Sequence, residues 1–292
     1  MSQTSQPGVL PLRPLTVGEL LDAAVSLLRT RAGRLLGLGA AAATAEQLVL
    51  FPLRRLADVD IWYWPADDRW PAWLLLVAVG FGTEAAIVAG LGRPAATAGL
   101  RALLGPAAPQ PEPGARPAAA TAAVAVVAAA AAGLAVATGA GWPSTFFLLS
   151  FATLGLWLGA WGWLGLAVPA VVIDRLGPVA ALRRSIGLAS RGLLRGARVR
   201  VLAYLGWFVI RLAWGLGVLS LVGLFFVPVD TTMDNLLMAA VYLVVNAFAY
   251  PALACLDTVL QLEARMRTEG LDIALRRALQ RGVEPTGVLV GG

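Results

Sequence analysis

The chain has 292 residues, of which 59% are hydrophobic and only 14% are charged. A soluble globular domain carries about a quarter charged residues, so this chain has too few charges for a surface that faces only water. All 23 basic residues are arginine, histidine is absent, and Cys255 is the single cysteine. The composition indicates an integral membrane protein, and it excludes an intrachain disulfide, a thiolate metal cluster and every site that needs histidine.

Six stretches are long and apolar enough to cross a bilayer, because a helix needs roughly 20 apolar residues to traverse ~30 Å of hydrocarbon. They cover residues 35–53, 72–91, 117–138, 145–173, 201–226 and 236–256. The third is mostly alanine and inserts only weakly by itself, so we expect neighbouring helices to pack closely against it. The predicted fold class is all-α, a membrane bundle of about six transmembrane helices.

The distribution of arginine predicts the orientation. With the N-terminus inside, 19 arginines lie in cytoplasmic segments and three (Arg54, Arg55 and Arg69) lie outside. The segment from Arg175 to Arg200 alone holds seven. Because basic residues concentrate on the cytoplasmic side of a membrane, we expect a multi-pass protein of the bacterial inner membrane with both termini in the cytoplasm.

Short amphipathic helices are predicted before three of the spans, starting near residues 16, 94 and 178. In the first, Thr16 and Glu19 form a capping box, followed by an apolar stripe of Val17, Leu21, Ala24 and Leu28. In the third, the apolar face comprises Val179, Leu182, Ile186, Ala189 and Leu193. The starts are about 80 residues apart, which predicts a threefold repeat of an interfacial helix followed by a helical hairpin.

The chain divides into three parts on this interpretation. Residues 1–15 are expected to be a disordered cytoplasmic N-terminus, and residues 16–256 form the membrane domain. Residues 257–292 form a cytoplasmic helix and tail, in which Glu263 pairs with Arg267, Asp272 pairs with Arg276, and Gly270 is the expected break.

An apolar segment that ends in Pro169 and Asp174 is followed by a turn and then by an amphipathic helix with Arg184 and Ser185. This pattern resembles the actinobacterial membrane proteins named for the membrane domain of glycerophosphoryl diester phosphodiesterases. The segments 15–22 and 267–273 also fit that family. The resemblance implies a membrane architecture in the cell envelope and no active site, since the soluble catalytic domain of such enzymes uses histidines that this chain lacks.

Three charged residues, Glu46, Glu84 and Arg211, fall near the middle of predicted spans. A charge in hydrocarbon costs ~2.5–3.5 kcal/mol on insertion scales, so each one invites an explanation. They form either a buried polar site for an ion, a proton or a lipid headgroup, or a Glu–Arg pair that pins the bundle. Because Arg211 cannot lose its charge by deprotonation, we predict a salt bridge to Glu84 or Glu46. Glu84 is preferred because it faces away from the small-residue stripe that begins at Gly82.

Five arginines of the basic segment are candidate contacts for anionic lipid headgroups on the cytoplasmic face: Arg183, Arg184, Arg191, Arg195 and Arg198. No catalytic residue, cofactor, metal site or nucleic-acid partner is predicted, and membrane-protein partners are expected. The favoured function is a non-catalytic scaffold or accessory subunit of the cell envelope. The alternative is a transporter or lipid-handling protein that uses the Glu46, Glu84 and Arg211 centre.

Overall fold

The computed structural model describes residues 10–59, 69–105, 108, 115–139, 155, 157–225, 231–284 and 286–290. All regular elements in these ranges are helices: α1 (Val17–Thr30), α2 (Ala32–Ala57), α3 (Trp70–Leu104), α4 (Ala115–Gly139), α5 (Ala167–Ile173), α6 (Pro178–Phe225), α7 (Thr231–Glu269), α8 (Leu271–Gln280) and α9 (Thr286–Val290). The prediction of an all-α membrane bundle is confirmed.

Four of these helices are long and apolar enough to cross a membrane: α2, α3, α6 and the part of α7 from Asn235 to Glu269. They contain the first, second, fifth and sixth predicted spans. The third span lies in α4, whose described side chains form an apolar stretch over Thr121–Ala131. Of the fourth span, only the apolar helix Trp157–Ile173 and residue 155 are described. The count of six spans therefore stays a prediction.

Helix α7 is the centre of the bundle. It packs against α1, α2, α3 and α6, and every residue from 253 to 266 is buried. This stretch includes Asp257, Gln261, Glu263 and Arg265. A buried polar side chain without a partner is costly, so these four residues need partners on the surrounding helices.

Helix α1 confirms the predicted capping box but turns a partly different face to the core. The Thr16 N–H donates to Glu19 Oε2 at 2.7 Å, and the Glu19 N–H donates to Thr16 Oγ1 at 3.4 Å. The buried residues are Leu20, Ala23, Ala24 and Leu27. Val17 and Leu21, which belong to the predicted stripe, are exposed. The predicted stripe is therefore wrong at Val17 and Leu21 and confirmed at Ala24, which is buried, and at Leu28, which is partly buried against the core. The error arises because α1 is apolar on two faces.

Helix α3 continues through Pro94, although a separate amphipathic helix was predicted to start there. Close packing on both sides of the proline explains the continuity. A Cβ at Gly92 would lie 2.8 Å from Val168 Cγ1, and a Cβ at Gly99 would lie 2.5 Å from Thr258 Cγ2. This close packing against α5 and α7 keeps α3 helical on both sides of Pro94, where proline alone favours a break.

Helix α6 consists of two helices that meet at residues 191–194, where the backbone leaves helical geometry. The predicted apolar face of the first part is mostly exposed, since Val179 is 64% and Leu193 is 85% exposed. Of the predicted face Ala189 is buried, and the other buried residues of this part are Ala181, Ser185 and Leu188. The Ser185 hydroxyl donates to the Trp163 carbonyl, which turns the Ser185 side of the helix inward.

The N-terminal end of the described chain packs against α7, where Leu10 and Leu15 lie beside Val259 and Leu262. Leu10 and Leu15 are buried, so the expected disorder does not extend to residues 10–15. The carbonyl of Leu15 accepts hydrogen bonds from Arg195 at 2.8 Å and from Arg267 at 3.2 Å.

At the C-terminal end, the predicted break at Gly270 is confirmed, with φ +66° between α7 and α8. The predicted pair of Glu263 with Arg267 is also confirmed, at 2.8 Å. The pair of Asp272 with Arg276 does not form among the described residues. The Arg276 guanidinium instead donates to the Leu12 carbonyl, because the N-terminal segment lies within its reach.

Candidate functional site: a buried polar centre

The predicted Glu84–Arg211 salt bridge is present and connects α3 to α6. Arg211 Nη2 lies 2.7 Å from Glu84 Oε1, and Nη1 lies 3.3 Å from Oε2, which is the two-pronged geometry that arginine and carboxylate favour. The Tyr204 hydroxyl donates to Glu84 Oε2 at 3.2 Å. Glu84 is buried and Arg211 is only 16% exposed, so the pair lies inside the protein.

The orientation of Glu84 follows from the small residues of α3. A Cβ at Gly82 would lie 3.3 Å from Ala129 Cβ, so this face of α3 packs closely against α4. Glu84 is two residues further along and therefore lies about 200° round the helix, on the side of α6. Tyr204 and Arg211 are seven residues apart, about two helical turns, so both side chains project from the same face of α6 towards Glu84.

Glu46 is held by neutral donors and has no direct contact with an arginine among the described residues. The Tyr250 hydroxyl lies 2.7 Å from both Glu46 carboxylate oxygens, and Asn246 Nδ2 donates to Oε2 at 2.9 Å. Asn246 and Tyr250 lie four residues apart on one face of α7. Thr83 Oγ1 of α3 lies 3.4 Å from Glu46 Oε1. Because Thr83 is the residue before Glu84, the carboxylates of Glu46 and Glu84 lie in the same region of the bundle.

The α2 side of this centre extends through Gln47 to Arg54. Gln47 Nε2 lies 3.4 Å from Glu46 Oε2, and Arg54 Nη2 lies 2.5 Å from Gln47 Oε1. Arg54 is completely buried, one turn from the end of α2. We call the set Glu46, Gln47, Glu84, Tyr204, Arg211, Asn246 and Tyr250 the polar centre; it joins α2, α3, α6 and α7.

A second buried ion pair joins α6 to α7 about 10 Å along α7 from Tyr250. Arg200 binds Asp257 through Nε at 2.5 Å and Nη2 at 3.0 Å. Its guanidinium also lies 4.2 Å from the ring centre of Trp161, a cation–π contact. A Cβ at Gly165 would lie 1.8 Å from Arg200 Nε, so glycine is required there to leave room for the arginine.

A third network of hydrogen bonds and salt bridges includes residues of the motif segments on which the family resemblance is based. Asp174 accepts hydrogen bonds from Arg265 at 2.6 Å, from Gln261 at 3.0 Å and from Arg184 at 3.2 Å. Arg184 and Arg265 both also bind Glu269, at 2.7 Å and 3.1 Å. Asp174, Arg184 and Glu269 all belong to the motif segments, so these motifs act in the structure by fixing α6 and α7 against the end of α5.

Three of the five candidate lipid-binding arginines already contact carboxylates within the chain. Arg184 binds Asp174 and Glu269, Arg191 lies 3.5 Å from Glu269, and Arg195 lies 3.7 Å from Glu263. These contacts disfavour lipid binding by the three. Two further candidates are exposed, with no carboxylate partner in the described ranges: Arg183 and Arg198. For these two, lipid contact stays a prediction.

Sequence reasoning considered only charged residues inside the spans and missed the neutral ones that surround them. Tyr204, Asn246 and Tyr250 complete the polar centre and supply donors to both carboxylates. The available signal was the placement of Asn246 and Tyr250 one turn apart in an otherwise apolar helix. In a span, such a pair predicts a shared polar partner on another helix.

Neither a family model, nor a curated protein, nor a solved structure matches this chain. The family resemblance therefore rests on the sequence motifs alone. What the molecule does must be inferred from the chemistry of its own polar groups.

Proposed function

We propose that this membrane protein is a non-catalytic scaffold or accessory subunit of the bacterial cell envelope. The observation that carries the proposal is the closed pairing of the polar centre, where Glu84, Arg211 and Glu46 are all bound by protein groups from four helices. A transporter is expected to have discontinuous helices and a cavity near the bilayer midplane. A scaffold is expected to have a packed core whose buried polar groups satisfy one another. Both carboxylates of the polar centre fit that description, whereas Arg211 Nε and Asn246 Oδ1 are buried with no hydrogen-bond partner among the described residues.

The energetics support a role in fixing the arrangement of helices. Removing one member of a buried ion pair is strongly destabilising, because the other charge is left without a partner. Any sliding or rotation of α6 against α3 separates Arg211 from Glu84. The pair therefore favours one register of these helices, which is useful to a protein that presents a fixed surface to its partners.

One observation favours the alternative, a transporter or lipid-handling protein. Glu46 is bound by Tyr250 and Asn246 and not by an arginine, and intramembrane carboxylates of this kind occur in proton relays. Two observations weigh against it. Glu46 is only 4% exposed, and the break in α6 at residues 191–194 lies about 25 Å along the helix from Arg211.

Cysteine labelling tests the proposal. Cys255 is completely buried, so Cys255→Ala provides a cysteine-free background. Into it we would place Thr83→Cys beside the polar centre, Asn246→Cys within it, and Asp22→Cys on the exposed face of α1 as the control. Each variant is treated with a membrane-impermeant maleimide in right-side-out and in inverted vesicles.

A scaffold predicts that Asp22→Cys is labelled from one side only and that both central cysteines stay unlabelled from either side. Labelling of a central cysteine from one side, with the Asp22→Cys control behaving as expected, would show a water path to the polar centre. That result would replace the scaffold proposal with the transporter alternative.

A further inference from the structure

Four arginines converge on a cavity of about 560 Å³ between α2 and α3. Arg31 and Arg34 line it from the start of α2, and Arg93 and Arg101 line it from the last third of α3. No acidic residue lines this cavity. Within the described ranges the four arginines also have no carboxylate at salt-bridge distance, in contrast to Arg184, which is bound by two.

The cavity changes from charged to apolar along its length. Thr83 lies beside Glu46, and a Cβ at Gly80 would lie 3.9 Å from Leu50. Earlier residues of α3 therefore lie beside later residues of α2, so the two helices run antiparallel and the start of α2 lies beside the end of α3. Arg31 and Arg101 therefore share one end of the cavity. The other end is lined by Leu38 and Ala42 of α2 and by Ile87 and Gly90 of α3. From residue 31 to residue 42 the cavity extends about 16 Å along the helix axis.

We propose that this cavity binds one anionic phospholipid, with the phosphate held by the arginines and an acyl chain lying along the apolar end. A guanidinium group can donate two parallel N–H bonds to the oxygens of one phosphate. Because no carboxylate lines the cavity, the N–H groups of its arginines remain available to a phosphate. The volume falls within the ~300–1,000 Å³ of ordinary ligand sites. Both walls belong to helices apolar enough to cross a membrane, which places the apolar end where lipid chains are found.

Topology alone does not account for this arrangement. The preference for basic residues on one side of a membrane requires arginines near the ends of spans, and it is satisfied by arginines on any exposed surface there. It does not require four of them to face one cavity, nor an apolar continuation behind them. The inference does not depend on the scaffold proposal, since a bound lipid is compatible with either function.

Native mass spectrometry of the delipidated full chain in detergent tests the site. Phosphatidylglycerol, phosphatidylcholine and soluble glycerol phosphate are titrated separately, and the first bound molecule is quantified. The variant Arg34→Gln with Arg101→Gln is compared with Arg277→Gln with Arg281→Gln, which removes the same charge from exposed positions at and just beyond the end of α8. At about fivefold per arginine, we expect the first pair to weaken phosphatidylglycerol binding ~30-fold and the control pair to leave it within about twofold.

Gly90 offers a second variant that leaves every arginine in place. A Cβ at Gly90 would have no atom within 4 Å, so Gly90→Phe can fill the apolar end without displacing the backbone. We expect it to weaken phosphatidylglycerol binding at least tenfold while thermal stability is retained. The proposal is overturned if the control pair weakens binding as much as the arginine pair, or if phosphatidylcholine binds as tightly as phosphatidylglycerol. It is also overturned if glycerol phosphate binds as tightly as the lipid, since that identifies a site for soluble anions, or if Gly90→Phe binds phosphatidylglycerol normally.

Discussion

Replacing Arg211 by leucine leaves the Glu84 carboxylate buried without its arginine. Among the described side chains, Tyr204 then remains as its hydrogen-bond donor. The wild-type arginine supplies two hydrogen bonds to this carboxylate, at 2.7 and 3.3 Å. The double variant Arg211→Leu with Glu84→Gln removes both charges, and the glutamine oxygen can still accept from Tyr204. We therefore expect the double variant to be more stable than Arg211→Leu alone.

The magnitudes follow from burial. Breaking a buried ion pair by removing one partner costs about 3–5 kcal/mol, and the 16% exposure of Arg211 favours the lower end, about 3 kcal/mol. Removing both charges should cost about 1 kcal/mol, so the double variant should recover about 2 kcal/mol of the stability that Arg211→Leu loses. At about 2–4 °C per kcal/mol, the single variant should lose about 6–12 °C in melting temperature and the double variant about 3 °C.

Fluorescence-detected size-exclusion chromatography after heating in detergent measures these differences. Arg198→Leu is the matched control, because it removes an exposed arginine from the same helix and is expected to change stability by less than about 0.5 kcal/mol. If the double variant is no more stable than Arg211→Leu, the two residues do not act as a pair and the structural interpretation of the polar centre is wrong.

Three further outcomes are expected. Gly165→Ala should lower the melting temperature because its Cβ displaces Arg200, whereas Gly206→Ala, whose Cβ would have no atom within 4 Å, should be neutral or stabilising in the same assay. The Arg13 guanidinium and the Thr16 backbone and hydroxyl lower the pKa of Glu19 from 4.5 to about 2. The stabilisation of α1 by the charged Glu19 should thus be complete above pH 4.5 and be lost as pH falls through 2. Carboxyl ¹³C NMR should give this lowered pKa for Glu19, and Arg13→Gln should return it towards 4.5. Reporter fusions after α3 and after α8 should be cytoplasmic and a fusion in the loop between α2 and α3 external; an internal signal from that loop contradicts the predicted orientation.

The confirmed predictions concern residues that have few physically acceptable environments. Arg211 cannot become neutral, and only two carboxylates lie at its depth, so a pair with Glu84 or Glu46 followed from the sequence. The choice of Glu84 followed from its angle relative to the Gly82 packing face. Gly270 was identifiable as a helix end because glycine adopts positive φ without cost.

The predictions that failed depend on contacts between distant segments. The phase of α1 was ambiguous because two of its faces are apolar, and only the position of α7 decides between them. Pro94 is a normal signal for a helix end, and close packing at Gly92 and Gly99 overrides it. Arg184 binds Glu269, 85 residues away, and no local pattern identifies that partner among the other acidic residues.

The most direct test is a cryo-electron microscopy structure of the protein in lipid nanodiscs that resolves the side chains of the polar centre. We expect Arg211 within salt-bridge distance of Glu84, Glu46 against the Tyr250 hydroxyl, and packed side chains between these groups and both membrane surfaces. An Arg211 that faces lipid without an acidic neighbour, or a water-filled cavity that contains both carboxylates, would contradict the account.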